Sequence, residues 1–166
     1  GTNYGISFSS TSLGLIDSDA GGSGSIGNEP SSSTVLFFLD GNAATMNVAA
    51  GFDTGFSFFY ASSTAGFVRV YDGLNGTGNL LASLTFESNI GGCGGDPSGT
   101  YCRFDPVGVT FNGIARSVDF GGSANNVAFD DITLGSDNAG DVPEPATLAL
   151  SVLGLIGLGA ARRRKA

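Results

Sequence analysis

Alternating hydrophobic and polar residues form short runs throughout the first 141 residues, separated by Gly, Ser, Asn and Asp. Three sets show the alternation most clearly: Leu80, Ala82, Leu84 and Phe86; Val107, Val109 and Phe111; and Phe56, Phe58 and Tyr60. Successive side chains of a strand point to opposite faces, so each set can line a core. Because no helical period runs over a long stretch, the pattern predicts an all-β fold. We expect an antiparallel, jelly-roll-like β-sandwich, with a barrel as the alternative.

Turn-forming residues divide this region into predicted strands and loops. Residues 17–33 are rich in Gly and Ser and are predicted to be a loop. The stretch 72–79 contains Asp-Gly and Asn-Gly pairs, which tolerate positive φ, and it is predicted to be a hairpin turn. The predicted strands are Ile6–Ser9, Thr34–Leu39, Gly55–Tyr60, Phe67–Tyr71, Leu80–Phe86, Val107–Phe111, Ser117–Phe120 and Val127–Leu134.

The last predicted strand changes its apolar face partway along. Val127 and Phe129 share one parity, whereas Ile132 and Leu134 share the other, so a bulge at the intervening Asp-Asp pair is predicted. The sequence Asp-Asp-Ile-Thr-Leu resembles the final strand of extracellular jelly-roll modules of the carbohydrate-binding type. In some of these the matching acid ligates a structural Ca²⁺, so the resemblance implies Ca²⁺ at Asp130 or Asp131. The alternative is one solvated Asp and one bonded to backbone, because an oxygen site needs 6 to 8 ligands.

The two cysteines, Cys93 and Cys102, enclose a loop that contains Gly and Asp-Pro. Such a loop can bring its ends together, and in an exported protein a disulfide is expected. The alternative is a pair of metal ligands. Two thiolates without His or further Cys make a poor zinc site, so the disulfide is favoured.

Charge divides the chain into two parts. The full sequence of 166 residues has a net charge of −8, and its length suits one domain with a hydrophobic core. Residues 1–141 carry 14 of the 15 acidic residues and three of the seven basic ones, a net charge of −11. The other basic residues are Arg162, Arg163, Arg164 and Lys165. The negative charge of residues 1–141 argues against nucleic-acid binding, because the phosphate backbone is also negative.

An uncharged apolar run precedes this basic end. It extends from Ala146 through Leu150 and Leu155 to Ala161, and as a helix it would measure about 24 Å. The run is a short candidate for a single transmembrane helix, and thinning of the bilayer would close the gap to a core of about 30 Å. The positive-inside rule places the basic end in the cytoplasm and the acidic body outside. The other interpretations are a permanent membrane anchor and a buried core helix, which would leave four clustered cations poorly solvated.

Val142-Pro143-Glu144-Pro145, the apolar run and the Arg-rich end together resemble the PEP-CTERM sorting domain of exported bacterial proteins. The resemblance covers residues 142–166 and implies processing by exosortase, a membrane-embedded, transpeptidase-like enzyme of bacteria that make exopolysaccharide. Pro143, Glu144 and Pro145 would form the recognition motif. The apolar run would be a transient span of the inner membrane, and the basic end a cytoplasmic retention signal.

The resemblance divides the chain into an extracellular sandwich, residues 1–141, and a sorting signal, residues 142–166. A protein of this kind enters the export pathway through a signal peptide. The first residues, Gly-Thr-Asn-Tyr, show no basic or apolar leader, so we expect that the leader has been removed. The expected destination is the cell surface or the extracellular matrix.

The amino-acid composition argues against a catalytic function. With no His, the chain has no Ser-His-Asp triad, no Cys-His pair and no His-ligated metal, and it has no Trp to stack on a sugar. A glycosidase needs two acids flanking a sugar, and no pair among the body acids stands out. We therefore predict a protein that is not an enzyme, with no cofactor beyond the Ca²⁺ considered above.

Three functions remain in competition. The first is an exosortase-processed surface or matrix protein whose sandwich is structural or binds glycan such as exopolysaccharide. The pattern places Tyr60 and Tyr71 mostly in the core and does not indicate an exposed tyrosine that would stack on a glycan. The second is a small secreted carbohydrate-active hydrolase on the same scaffold. The third is a permanently membrane-anchored surface domain. The absence of His favours the first over the second.

Overall fold

The computed structural model of the protein describes residues 4–31, 33–94 and 99–140. All of its regular structure is β-strand. The strands are β1 Ile6–Phe8, β2 Ser12–Ile16, β3 Thr34–Phe38, β4 Ala43–Phe52, β5 Gly55–Ser62, β6 Gly66–Tyr71, β7 Leu80–Phe86, β8 Asp105–Thr110, β9 Ala115–Gly121 and β10 Val127–Leu134.

The strands form two five-stranded antiparallel sheets. Sheet A has the order β1-β4-β9-β6-β7, and sheet B has the order β2-β3-β10-β5-β8. The chain crosses repeatedly between the sheets, so most neighbours in a sheet are distant in sequence. The predicted all-β antiparallel sandwich is therefore confirmed. The predicted transmembrane helix lies outside the described residues, and in the part that is described no helix is long and apolar enough to cross a membrane.

Phenylalanine side chains fill the space between the sheets. Phe58 is fully buried, and its ring lies 5.6 to 6.1 Å from the rings of Phe56, Phe120 and Phe129. Most of these contacts are edge-to-face, a geometry worth about 0.5–1.5 kcal/mol per pair beyond area burial. The alternation of Phe56, Phe58 and Tyr60 in β5 thus predicted the core face correctly.

The predicted bulge in β10 is present. The register with β5 shifts between Asp130 and Thr133, and Asp131 has a φ of 45°. Because of this shift, Phe129 before the bulge and Ile132 after it both pack into the same core. Asp130 lies on the outer face of sheet B, because it follows the inward-facing Phe129 in the strand.

A second apolar cluster lies on the outer face of sheet B. Ile26, from the loop 17–33, is buried against outward-facing Val35, Phe37 and Ala128. The loop that contains the disulfide holds this cover in place, because Thr100 and Tyr101 both donate backbone N–H groups to the Ser25 carbonyl. The segment predicted as a loop is thus a loop that forms part of the hydrophobic structure.

Candidate functional site

The disulfide predicted from the sequence is formed. Cys93 and Cys102 are bonded, with 5.1 Å between their Cα atoms, and Cys102 is buried. The bridge closes the loop between the two cysteines. Asn28, from the loop 17–33, contacts the same place, because Asn28 Nδ2 donates a hydrogen bond to the Cys102 carbonyl. Both cysteines are therefore structural and help to hold the loop 17–33 against the outer face of sheet B.

The Asp130 carboxylate accepts three hydrogen bonds from neighbouring residues. The backbone N–H of Ser31 donates to its Oδ2 at 2.9 Å, and the Ser31 hydroxyl donates to its Oδ1 at 2.6 Å. Its Oδ1 also accepts from the backbone N–H of Asp131 at 2.8 Å. Asp130 is 5% exposed, so these bonds satisfy a buried carboxylate and fix the loop 17–33 to β10.

The structure places Asp131 beside Asp130, half-buried and at the apex of the bulge. Among residues 4–31, 33–94 and 99–140, no group of three His, Cys, Asp or Glu side chains could hold a metal ion. The hydrogen bonds of Asp130 agree with the interpretation of one Asp bonded to backbone. Calcium at Asp130 or Asp131 stays a prediction.

Tyr60, which the alternation in β5 places on the core face, is buried. Its ring lies 4.3 Å from that of Phe86, inside the core, and 7% of the residue is exposed. Burial raises the pKa of its phenol, and the Asp105 carboxylate acts in the same direction. The core position that the alternation predicted for Tyr60 is therefore confirmed, whereas Tyr71 is half-exposed and faces outward from sheet A.

The outer face of sheet A is polar and largely open. Along β6, Phe67, Arg69 and Tyr71 point outward, alternating with the buried Val68 and Val70. The Arg69 guanidinium lies 4.2 Å above the Phe67 ring, a cation–π contact. Phe67 is thereby covered on that side, and Arg69 is held in place with its donors in solvent.

A row of polar side chains crosses this face perpendicular to the strands. Thr45, Asp119, Arg69 and Ser83 occupy paired positions on β4, β9, β6 and β7. The Thr45 hydroxyl donates to Asp119 Oδ1 at 2.7 Å, which orients the carboxylate across the face. Arg69 and Ser83 are exposed. The row thus combines a carboxylate, a guanidinium and hydroxyl groups on one surface.

The hairpin predicted between β6 and β7 is present, and residues 72–79 fold over one end of this face. Ser117, fully buried under the turn, donates to the Gly73 carbonyl and accepts from the Gly76 N–H. Asn47 and Asn75 exchange two hydrogen bonds of 2.9 and 2.7 Å. The turn therefore lies along one side of the polar row, and its Gly76 lies against the Asp119 carboxylate, where a Cβ atom would come within 2.6 Å of Oδ2.

The neck of this turn is closed by Asp72. The side-chain amide and the backbone N–H of Asn79 both donate to the Asp72 carboxylate, and these bonds lower its pKa. Sequence reasoning predicted the turn but not its docking onto sheet A. The polar face could have been predicted from β6, because Phe67, Arg69 and Tyr71 alternate with the core residues Val68 and Val70.

Residues 141–165 match the model of the PEP-CTERM protein-sorting motif. The chain therefore carries this motif, as its sequence predicted. The recognition residues, the apolar run and the basic end all lie outside the described residues.

Two solved structures resemble the sandwich. One is CsCBM6-3 from Clostridium stercorarium in complex with cellobiose, which is 16% identical with a TM-score of 0.50. The other is a family 6 carbohydrate-binding module whose binding sub-sites were dissected, 20% identical with a TM-score of 0.49. Each match covers 79% of this chain and 87% of the other. No curated protein matches the chain.

Proposed function

We propose that this protein is exported, sorted by exosortase to the cell surface or matrix, and binds polysaccharide through a non-catalytic sandwich. The observation that carries the proposal is the sorting motif at residues 141–165, directly after a folded β-sandwich. In this topology the apolar run spans the inner membrane transiently and the basic end remains cytoplasmic. The disulfide supports an oxidising destination.

The fold supports the glycan part of the proposal. CsCBM6-3, which shares the sandwich architecture, was solved with cellobiose. The exopolysaccharide implied by the exosortase resemblance is a polymer of the same chemical class. We assign the contact surface from the geometry of this chain alone, because a likeness at this identity concerns the fold.

The outer face of sheet A has the chemistry that a sugar chain requires. Sugar hydroxyls both donate and accept hydrogen bonds, and Asp119, Arg69 and Ser83 offer both functions in one row. Tyr71 supplies an aromatic side chain on the same strand as Arg69. A broad open face suits an extended polysaccharide better than a single sugar, and the turn 72–79 bounds it at one end.

The same face supports a binding role over hydrolysis. The strands of sheet A contain one acidic residue, Asp119, whereas glycoside hydrolysis uses a pair of carboxyl groups flanking the bond. Asp119 already accepts a hydrogen bond from Thr45. Its carboxylate also lies against Gly76 of the turn, and Asp119 is half-exposed, so its open side is the part that would orient a sugar hydroxyl. The strands of sheet A supply no second acid to complete a catalytic pair.

A glycan array with the full chain in detergent micelles, with and without Ca²⁺, tests the binding surface. We expect polysaccharide binding that Arg69→Ala weakens about tenfold, the loss of one charged hydrogen-bonding group. Arg103→Ala is the matched control, because Arg103 is also exposed but lies near the disulfide and pairs with Asp105. Equal losses in the two variants would contradict the sheet A surface. Binding that disappears without Ca²⁺ would support the predicted calcium site.

A further inference from the structure

After β10 the chain turns back and lies across the outer face of sheet B. We call residues 135–140 the strap. The Gly135 N–H donates to the Gly55 carbonyl at 2.9 Å, and the buried Ser57 hydroxyl donates to the Ser136 carbonyl at 3.0 Å. The strap is thus fixed to β5 by its first two residues.

Two glycines make room for the strap. A Cβ atom at Gly108 of β8 would overlap the Asp137 carbonyl oxygen, and one at Gly55 would lie 2.7 Å from the Asp137 nitrogen. Neither glycine has positive φ, so both are required for space and not for backbone conformation. Docking of the strap therefore depends on the absence of side chains at these positions.

The strap limits how far the sorting motif can lie from the outer face of sheet B. Residues 141 and 142 alone separate Gly140 from Pro143. At 3.3–3.6 Å per residue, even a fully extended chain carries Pro143 only about 10 Å from Gly140. The outer face of sheet A lies on the far side of the sandwich, beyond a core about 10 Å thick.

We infer that the strap makes the outer face of β5 and β8 the surface that the sandwich presents to the membrane-embedded enzyme acting on the motif. This inference rests on the proposed function. Pro106, Val107, Gly108 and residues 137–139 line a shallow groove of about 320 Å³ at this place, with Asp137 as its one charged residue. The same geometry turns the polar face of sheet A away from the membrane.

Photo-crosslinking in cells that make the full chain tests this orientation. A benzoylphenylalanine is placed at Pro106 or at Ser83, which are both exposed and both on edge strands, on sheets B and A respectively. A third position, Leu150 in the apolar run, reports whether the enzyme engages the chain at all. We expect an enzyme adduct from position 150, a several-fold stronger adduct from position 106 than from position 83, and loss of the 106 adduct with Gly108→Ala.

Gly14→Ala is the matched control, because Gly14 lies on the other edge strand of sheet B and its Cβ would meet nothing closer than 3.4 Å. It should keep the adduct. Ser57→Ala loosens the strap without adding bulk, and hydrogen exchange at Gly135 reports release directly in every variant. Equal adducts from positions 106 and 83, or none from either, alongside an adduct from position 150 would overturn the inference alone. An intact motif with no adduct from position 150 would overturn the proposed function with it.

Discussion

The outer faces of the two sheets differ in how the chain covers them. On sheet B, the outward side chains of Val35, Phe37 and Ala128 are buried under the loop 17–33, and the strap covers the adjoining part. On sheet A, the turn 72–79 covers one end and leaves Arg69 and Ser83 exposed. The chain itself covers the apolar side chains of sheet B, whereas the polar side chains of sheet A are open to solvent. The difference favours sheet A as the surface of the proposed polysaccharide binding, and sheet B carries the strap that leads towards residue 141.

The largest expected effect concerns the apolar cover of sheet B. Phe37→Ala should lower the free energy of unfolding by about 3 kcal/mol, because Phe37 is 3% exposed and its loss leaves a cavity. Phe67→Ala, on sheet A, should cost about 1 kcal/mol, because Phe67 is only half-buried. Urea unfolding of the full chain in micelles, followed by circular dichroism, measures both. Equal costs would contradict the distinction between the two faces.

The next effect concerns the disulfide that holds this cover. Replacing Cys93 and Cys102 together by Ser should lower stability by about 2–3 kcal/mol, because the unfolded chain gains freedom. The melting temperature of the oxidised protein should fall on adding a reductant. The Ser variant serves as control, since a reductant should leave its melt unchanged. A wild-type melt that is insensitive to the reductant would argue against a stabilising bridge.

A smaller effect is expected from paired carboxylate substitutions on the two faces. Asp130→Asn should cost about 1–3 kcal/mol, because an amide cannot accept all three bonds from Ser31 and Asp131 on a buried site. Asp119→Asn should change stability by less than about 0.5 kcal/mol, because Asp119 is half-exposed and accepts from Thr45. Thermal melts of both variants measure the difference. A larger loss of stability from Asp119→Asn than from Asp130→Asn would contradict the assignment of Asp130 as the structural carboxylate.

The smallest effect concerns the turn on sheet A, which is held by hydrogen bonds without a disulfide. The bonds from Asn79 lower the pKa of Asp72 below its ordinary value of 3.8, so the folded turn favours the carboxylate. Its contribution is present above pH 3.8 and is lost as the pH falls through the lowered pKa. Hydrogen exchange at the Asn79 amide should therefore accelerate in acid. Asp72→Asn should remove this pH dependence of exchange. If the pH dependence is the same in the variant, it arises from a group other than Asp72.

The alternation of apolar residues predicted the sandwich and most strands, but β2 and β4 were missed. β4 contains four alanines in ten residues, and β2 has a glycine at its centre. Such residues have weak strand preference, and cross-strand pairing with β9 and β3 decides their conformation instead. The local pattern cannot reveal a strand that its neighbours impose.

The bulge and the disulfide were predictable because each depends on nearby residues. The parity change between Phe129 and Ile132 required an extra residue, and the short loop between the cysteines allowed closure. The docking of the turn and of the strap depends on packing between distant segments. Gly108 illustrates this, because nothing in the sequence of β8 indicates that Asp137 lies against it.

Mass spectrometry of the C-terminus of the chain recovered from the cell surface tests the central claim most directly. We expect a chain that ends, or carries a new adduct, near Pro143 to Pro145. Glu144→Ala should leave residues 1–141 folded and impair this processing. An exported wild-type chain that retains Arg162 to Lys165 would contradict sorting and point to a permanent membrane anchor.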